Sequence, residues 1–201
     1  MNSFENNLLK YLTKKQLGEI QRVKLGIGGA GGLGSNIAIM LIRSGFRNLE
    51  VIDKDKIDFS NLNRQQYFFK EIGKPKVKVL KKRLLDINPS SEIKIYQKEW
   101  SAKDGNLYFV DCDIVIEAFD NAKYKRDFVE FYQDKAKFVI SGNGLAGISG
   151  NFPLCMRRVG NIFFAGDGKT GVDKNNPPLA PRVTLCAALM AETALKLALQ
   201  D

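Results

Sequence analysis

The residues with the clearest chemical potential are Gly-Ala-Gly-Gly-Leu-Gly at positions 29 to 34. They follow an apolar run, Val-Lys-Leu-Gly-Ile-Gly-Gly (23–29), and lead into Leu33, Ile37, Leu41 and Ile42 at helical spacing. A glycine turn between a strand and a helix lets backbone amides meet a phosphate at the helix N-terminus. Gly29, Gly31, Gly32 and Gly34 are therefore candidate binding positions. Asp53 ends the next apolar run, about 20 residues further on, where a carboxylate can accept hydrogen bonds from ribose hydroxyls. The plainer alternative is a glycine turn made only for helix–strand packing.

The stretch after Asp53 decides which nucleotide fits. A dinucleotide brings two negative charges, which a glycine loop and helix dipole can largely accommodate, whereas a triphosphate with magnesium needs further cations. Asn61, Arg64, Lys74 and Lys76 all occur there. Lys76 falls in the first turn of a helix predicted from Pro75, where a positive charge opposes the macrodipole by roughly 0.3 to 1 kcal/mol. An anion nearby would remove that conflict. Lys78, Lys81, Lys82 and Arg83 read as a solvated face, and a structural salt bridge is the plainer role for Arg64.

These residues need a scaffold, and the hydrophobic pattern supplies one. Strands are predicted at 23–29, 48–53, 92–97, 113–119 and 137–142, with helices from 33 to about 45, from 75 to 87 and from 122 to 133. Such alternation predicts an α/β, doubly wound, mostly parallel Rossmann-like sheet. Residues 151–159 and 161–166 read as two short strands around Gly160, a small antiparallel C-terminal extension. A Gly/Pro/Asp/Asn loop spans 166–181, and a last helix, about 181–200, buries Val183, Cys186, Met190, Ala194 and Leu197. Residues 1–22 form an N-terminal helical segment with Phe4, Leu8 and Leu12 on one side. The whole of 1–201 is expected to be one domain.

Composition removes several chemistries. There is no histidine, so His-activated nucleophiles and most transition-metal sites are excluded. Cys112, Cys155 and Cys186 form no C-x-x-C pair, which suggests neither a disulfide framework nor a zinc site. No apolar run approaches the roughly 20 residues needed to cross a bilayer, and the N-terminus lacks a secretory pattern, so a cytoplasmic protein is expected. The net charge of +9 suits an acidic partner. Its aromatics sit in strand-like and helical apolar patterns rather than among Lys and Arg, which argues against nucleic acid.

The run GGAGGLGSN, then VIDKDKIDFSNLNRQ, GKPKV and EAFDN (117–121), resembles the ThiF/MoeB/HesA family, relatives of the adenylation domain of ubiquitin-activating enzymes. The tail PLAPRVTLCAA (178–188) is similar to a short, zinc-free ThiF-like branch. The resemblance implies adenylation, with MgATP, of the C-terminal glycine of a ubiquitin-like sulfur carrier protein, ThiS-like and serving thiamine thiazole biosynthesis. It implies that Gly32 presents its amide to phosphate and Asp53 holds the ribose. Asn61, Arg64 and Lys76 would orient the triphosphate, Asp120 would hold magnesium, and Asn121 would complete the matched pair. It also implies a homodimer.

The plainer alternative is that an Asp-Asn pair after a strand often just caps the following helix. The sequence departs from many family members in lacking two C-x-x-C pairs, so no zinc is expected. Its 166–181 loop has no cysteine for a covalent link to a carrier, Cys186 reads as core, and no arginine in 1–22 matches the one some dimers lend to a neighbouring site. Two other classes remain open: an NAD-dependent oxidoreductase and a non-catalytic nucleotide-binding module.

Overall fold

The computed structural model describes residues 2–144, 153–174 and 176–200. Seven strands form one sheet: β1 (Lys24–Gly28), β2 (Asn48–Ile52), β3 (Glu92–Tyr96), β4 (Ile114–Glu117), β5 (Phe138–Gly142), β6 (Cys155–Val159) and β7 (Ile162–Gly166). Their order is β3-β2-β1-β4-β5-β7-β6. Every pairing is parallel except β6 with β7. This is the doubly wound, mostly parallel Rossmann-like sheet with an antiparallel C-terminal pair that the alternation predicts.

Both faces are covered, and the strands show why their sequences run apolar without a break. Ile114, Ile116 and Ile140 enter the core on one face, with Ile37, Leu41, Val183 and Met190. Val115 and Val139 point to the other, where they meet Trp100, Phe109, Phe128 and Tyr132. The first face carries α3 (Gly32–Arg43), α4 (Lys76–Ile87) and α6 (Ala180–Ala198), with α3 packed on both of the others. The second face carries α5 (Ala122–Tyr132).

The N-terminal segment is two helices, α1 (Ser3–Leu8) and α2 (Lys14–Arg22), rather than one. Capping separates them: Asn2 and Thr13 each accept from the backbone three residues on, and Glu5 and Gln16 answer them. The strand expected from 151 begins at Cys155, and residues 151–152 lie outside the described residues. Among the described residues no helix is long and apolar enough to cross a membrane.

The winding reverses between β1 and β4. The chain runs outward through β2 and β3, then returns to build β4 and β5 on the opposite side of β1. The crevice beyond the strand ends at such a switch point is where open α/β sheets bind ligands.

Candidate functional site

A crevice of about 550 Å³ opens at this switch point. Its floor is the turn from β1 to α3. Gly29 sits at φ 98°, a conformation that favours glycine, and a Cβ there would lie 2.8 Å from the Ala118 carbonyl oxygen. At Gly34 an added Cβ would fall 1.9 Å from the Gly29 carbonyl oxygen, so α3 presses directly onto the turn. Gly31 is the N-cap of α3 and supplies no capping side chain. The amides of the first helical turn are therefore free to donate hydrogen bonds to an anion in the crevice.

Asp53 stands at the end of β2. Its two carboxylate oxygens accept from the Ala30 and Asp55 amides, each at 2.7 Å. Burial raises its pKa, against the opposing pull of Lys76 and of those two amides. The carboxylate thus locks the glycine turn to the β2 end.

The segment after Asp53 is tied to α3 by two polar residues. Ser35 Oγ accepts from the Gln66 amide at 3.1 Å, while Asn36 donates to the Arg64 carbonyl at 3.0 Å and accepts from Gln66 Nε2 at 2.7 Å. Arg64 is thereby set beside the crevice. Its guanidinium donates to the Ser60 carbonyl and to Asn63 Oδ1, with no carboxylate in ion-pair reach among the described residues. Asn61 is buried behind it, its Oδ1 accepting from the Asp58 amide at 3.0 Å. It does not line the crevice, and nor does Gly34.

Lys76 begins α4 and is 6% exposed. The anion that relieves its unfavourable helix position is already in the chain: Asp55 Oδ2 lies 2.8 Å from its ammonium. At the opposite wall Asn121 caps α5, accepting from the Lys123 and Tyr124 amides. The capping role weighed for the Asp-Asn pair thus falls to Asn121. Asp120 is left exposed on the crevice wall, with no hydrogen bond or ion pair among the described residues. A single open carboxylate suits magnesium, which binds through one or two carboxylates and otherwise keeps waters and phosphates. Among the described residues no group of three or more Cys, Asp or Glu is arranged to hold a metal alone.

The crevice accordingly brings together Gly29, Gly31, Gly32, Asp53, Arg64, Lys76, Asp120 and Asn121. Three features escape sequence reasoning. One is the Asp55 partner of Lys76. Another is a clasp in which Glu99 Oε1 accepts from Lys54 and from the Tyr124 hydroxyl. The third is Lys125, whose ammonium is 2.9 Å from the fully buried Glu117 carboxylate and donates to the Gly142 carbonyl. Ser141 donates to the same carboxylate at 2.6 Å. A visible signal exists only for the last: an acid inside the apolar run of β4 demands a cation.

The cysteines stand apart. Cys112 and Cys186 are buried, and burial pushes both thiols up to about 12. Cys155 is exposed on β6, away from the crevice lining.

The sheet order and the glycine turn define a Rossmann-like domain with its crevice at the switch point. A model described as ThiF family matches residues 4–201, and the chain belongs to that family. It is 35% identical over 141 residues to tRNA threonylcarbamoyladenosine dehydratase 1 of Saccharomyces cerevisiae, covering 68% of this chain and 33% of that protein. It is 33% identical over 128 residues to SUMO-activating enzyme subunit 2 of Dictyostelium discoideum, covering 63% of this chain and 19% of that protein. The chain thus spans no more than about a third of the length of these curated relatives. The fold of E. coli tRNA N6-threonylcarbamoyladenosine dehydratase, solved with AMP, superposes with a TM-score of 0.85 at 19% identity over 96% of this chain and 93% of that one.

Proposed function

We propose that the chain is an adenylyltransferase that uses MgATP to join AMP to the C-terminal glycine carboxylate of a ubiquitin-like sulfur carrier protein, releasing pyrophosphate. The observation that carries this reading is the convergence of Arg64, Lys76 and the uncapped α3 N-terminus on one side of the crevice, with Asp120 open on the other. Family membership supports it. A SUMO-activating enzyme among the relatives supports a ubiquitin-like partner.

The chemistry follows from charge. The attacking carboxylate must approach the α-phosphorus of a polyanion, and like charges about 4 Å apart repel by roughly 4 kcal/mol at an effective dielectric near 20. Arg64, Lys76 and the α3 amides lower that repulsion by holding the phosphates in a fixed cationic frame. Asp53 receives the ribose, and the glycine turn admits the phosphates close to the backbone. Asp120 would hold magnesium, which would supply positive charge to offset that of the departing pyrophosphate. The carboxylate oxygen forms a bond to the α-phosphorus as the bond to pyrophosphate breaks. No proton moves, because a C-terminal carboxylate is already ionised at neutral pH, and the reaction needs no histidine.

Within this reading the carrier is ThiS-like, the pathway is thiamine thiazole biosynthesis, and the enzyme is a cytoplasmic homodimer. Mass spectrometry of such a carrier incubated with the protein and MgATP tests it, and a carrier heavier by one adenylate is expected. An unmodified carrier beside consumed ATP would overturn the choice of partner.

A second substrate has a specific observation behind it. The solved tRNA N6-threonylcarbamoyladenosine dehydratase matches nearly the whole chain in fold, and a yeast relative 35% identical over 141 residues is also named a tRNA threonylcarbamoyladenosine dehydratase. A threonyl carboxylate on tRNA would meet the same cationic frame. Release of AMP on adding threonylcarbamoylated tRNA, with none on adding a carrier, would favour this substrate.

A further inference from the structure

We propose that Glu99 reads the base of the bound nucleotide, its carboxylate accepting a hydrogen bond from the exocyclic amino group of adenine. This rests on the ATP reading above and adds to it the residue that makes the crevice choose adenine.

The placement follows from the two ends of the nucleotide that are already assigned. With phosphates at the α3 N-terminus and ribose at Asp53, the base must extend away from the glycine turn, toward the β3 side of the crevice. The wall there is built by Lys54 after β2, Glu99 and Trp100 after β3, Phe119 after β4, and Tyr124 on α5. Phe119, partly exposed and with its ring centroid 6.3 Å from that of the buried Trp100, gives that end an apolar lining for a planar base. Glu99 stands at its edge.

The carboxylate is held in one orientation with half of its capacity in reserve. Lys54 Nζ donates to Oε1 at 2.7 Å, and the Tyr124 hydroxyl donates to the same oxygen. Oε2 receives no hydrogen bond among the described residues. Those two donors, Lys54 first, also hold the Glu99 carboxyl below its usual pKa, so it is ionised at neutral pH. An ionised carboxylate can only accept. Adenine offers a donor at position 6, whereas guanine and hypoxanthine present a carbonyl oxygen there and would be repelled. Because Glu99 is 46% exposed, the discrimination expected is modest, about tenfold, and not the larger ratios of fully buried donor–acceptor sites.

Calorimetric titration of the free protein with ATP, GTP and purine riboside triphosphate, which lacks only the 6-amino group, tests the assignment. The wild-type chain is expected to bind ATP about tenfold more tightly than purine riboside triphosphate, and GTP more weakly still. Glu99→Ala is expected to bring ATP and purine riboside triphosphate to within twofold of each other. Lys54→Met, which loosens the clasp but keeps the acceptor, is expected to retain the preference. Equal binding of the two by the wild type, or an unchanged ratio in Glu99→Ala, overturns the base assignment and leaves the ATP reading standing. Loss of the preference in Lys54→Met overturns it too, by moving recognition to the lysine. Failure to bind any of the three overturns the nucleotide reading and this inference with it.

Discussion

The Lys76 ammonium and the Asp55 carboxylate meet at 2.8 Å on one wall of the crevice, the first side chain 7% exposed and the second 50%. The cation that a triphosphate would need is thus stored against an anion of the chain's own, half in solvent and free to turn away. An entering polyphosphate would take Lys76 from Asp55 and leave the carboxylate to water. Lys76→Met should therefore lower the rate of pyrophosphate exchange into ATP by about 100-fold, the usual cost of removing one preorganised donor. Asp55→Asn should tighten ATP binding a few-fold, because the competing anion is gone. Exchange assays and calorimetry on the two variants check the pair.

Gly31 and Gly34 separate binding from folding. A Cβ at Gly34 would lie 1.9 Å from the Gly29 carbonyl oxygen, and backbone cannot move aside cheaply. Gly34→Ala should destabilise the protein by about 3 kcal/mol or more, seen as an early denaturant midpoint. At Gly31 the nearest atom is Gln65 Nε2 at 3.8 Å. Gly31→Ala should hold its stability within about 1 kcal/mol while its new methyl, at the crevice floor, weakens ATP binding.

Asp167 makes the fold acid-sensitive. It is 4% exposed and accepts from Arg182 Nη2 at 2.6 Å, from Thr170 Oγ1 at 2.7 Å, and from the Lys169 and Thr170 amides at 2.8 Å. Burial alone would raise its pKa, but these hydrogen bonds, those of Thr170 foremost, outweigh it and bring the carboxyl to about 2. A carboxyl with a depressed folded pKa stabilises above its unfolded value and loses that contribution as pH falls through the folded one. Urea denaturation should thus show stability from this group constant above about pH 4 and falling toward pH 2. Asp167→Asn should remove that dependence and cost about 3 kcal/mol at neutral pH, since it breaks a buried ion pair with Arg182.

Much of the fold was legible because the strands carry it in their composition. Residues 114–117 are apolar on both faces apart from Glu117, and only a sheet covered on both sides makes such a run useful. The glycine turn was legible because close approach leaves a residue type behind. The split of the N-terminal segment lies in the Thr13–Gln16 capping box, a signal that the apolar stripe over Phe4, Leu8 and Leu12 does not carry. The Glu99 clasp left no trace of that kind. Lys54, Glu99 and Tyr124 come from three different connections, and their meeting is a consequence of strand order, which spacing along the chain does not encode. Asn61 shows the reverse case: a motif residue that supports the loop carrying Arg64 instead of lining the crevice.

The central claim is that this crevice activates a carboxylate with ATP, and exchange of labelled pyrophosphate into ATP measures that step alone. With magnesium and a ThiS-like carrier, exchange should depend on the carrier and should disappear in Asp120→Ala. Exchange that persists unchanged in Asp120→Ala, or tight NADH binding by a protein indifferent to ATP, would contradict it.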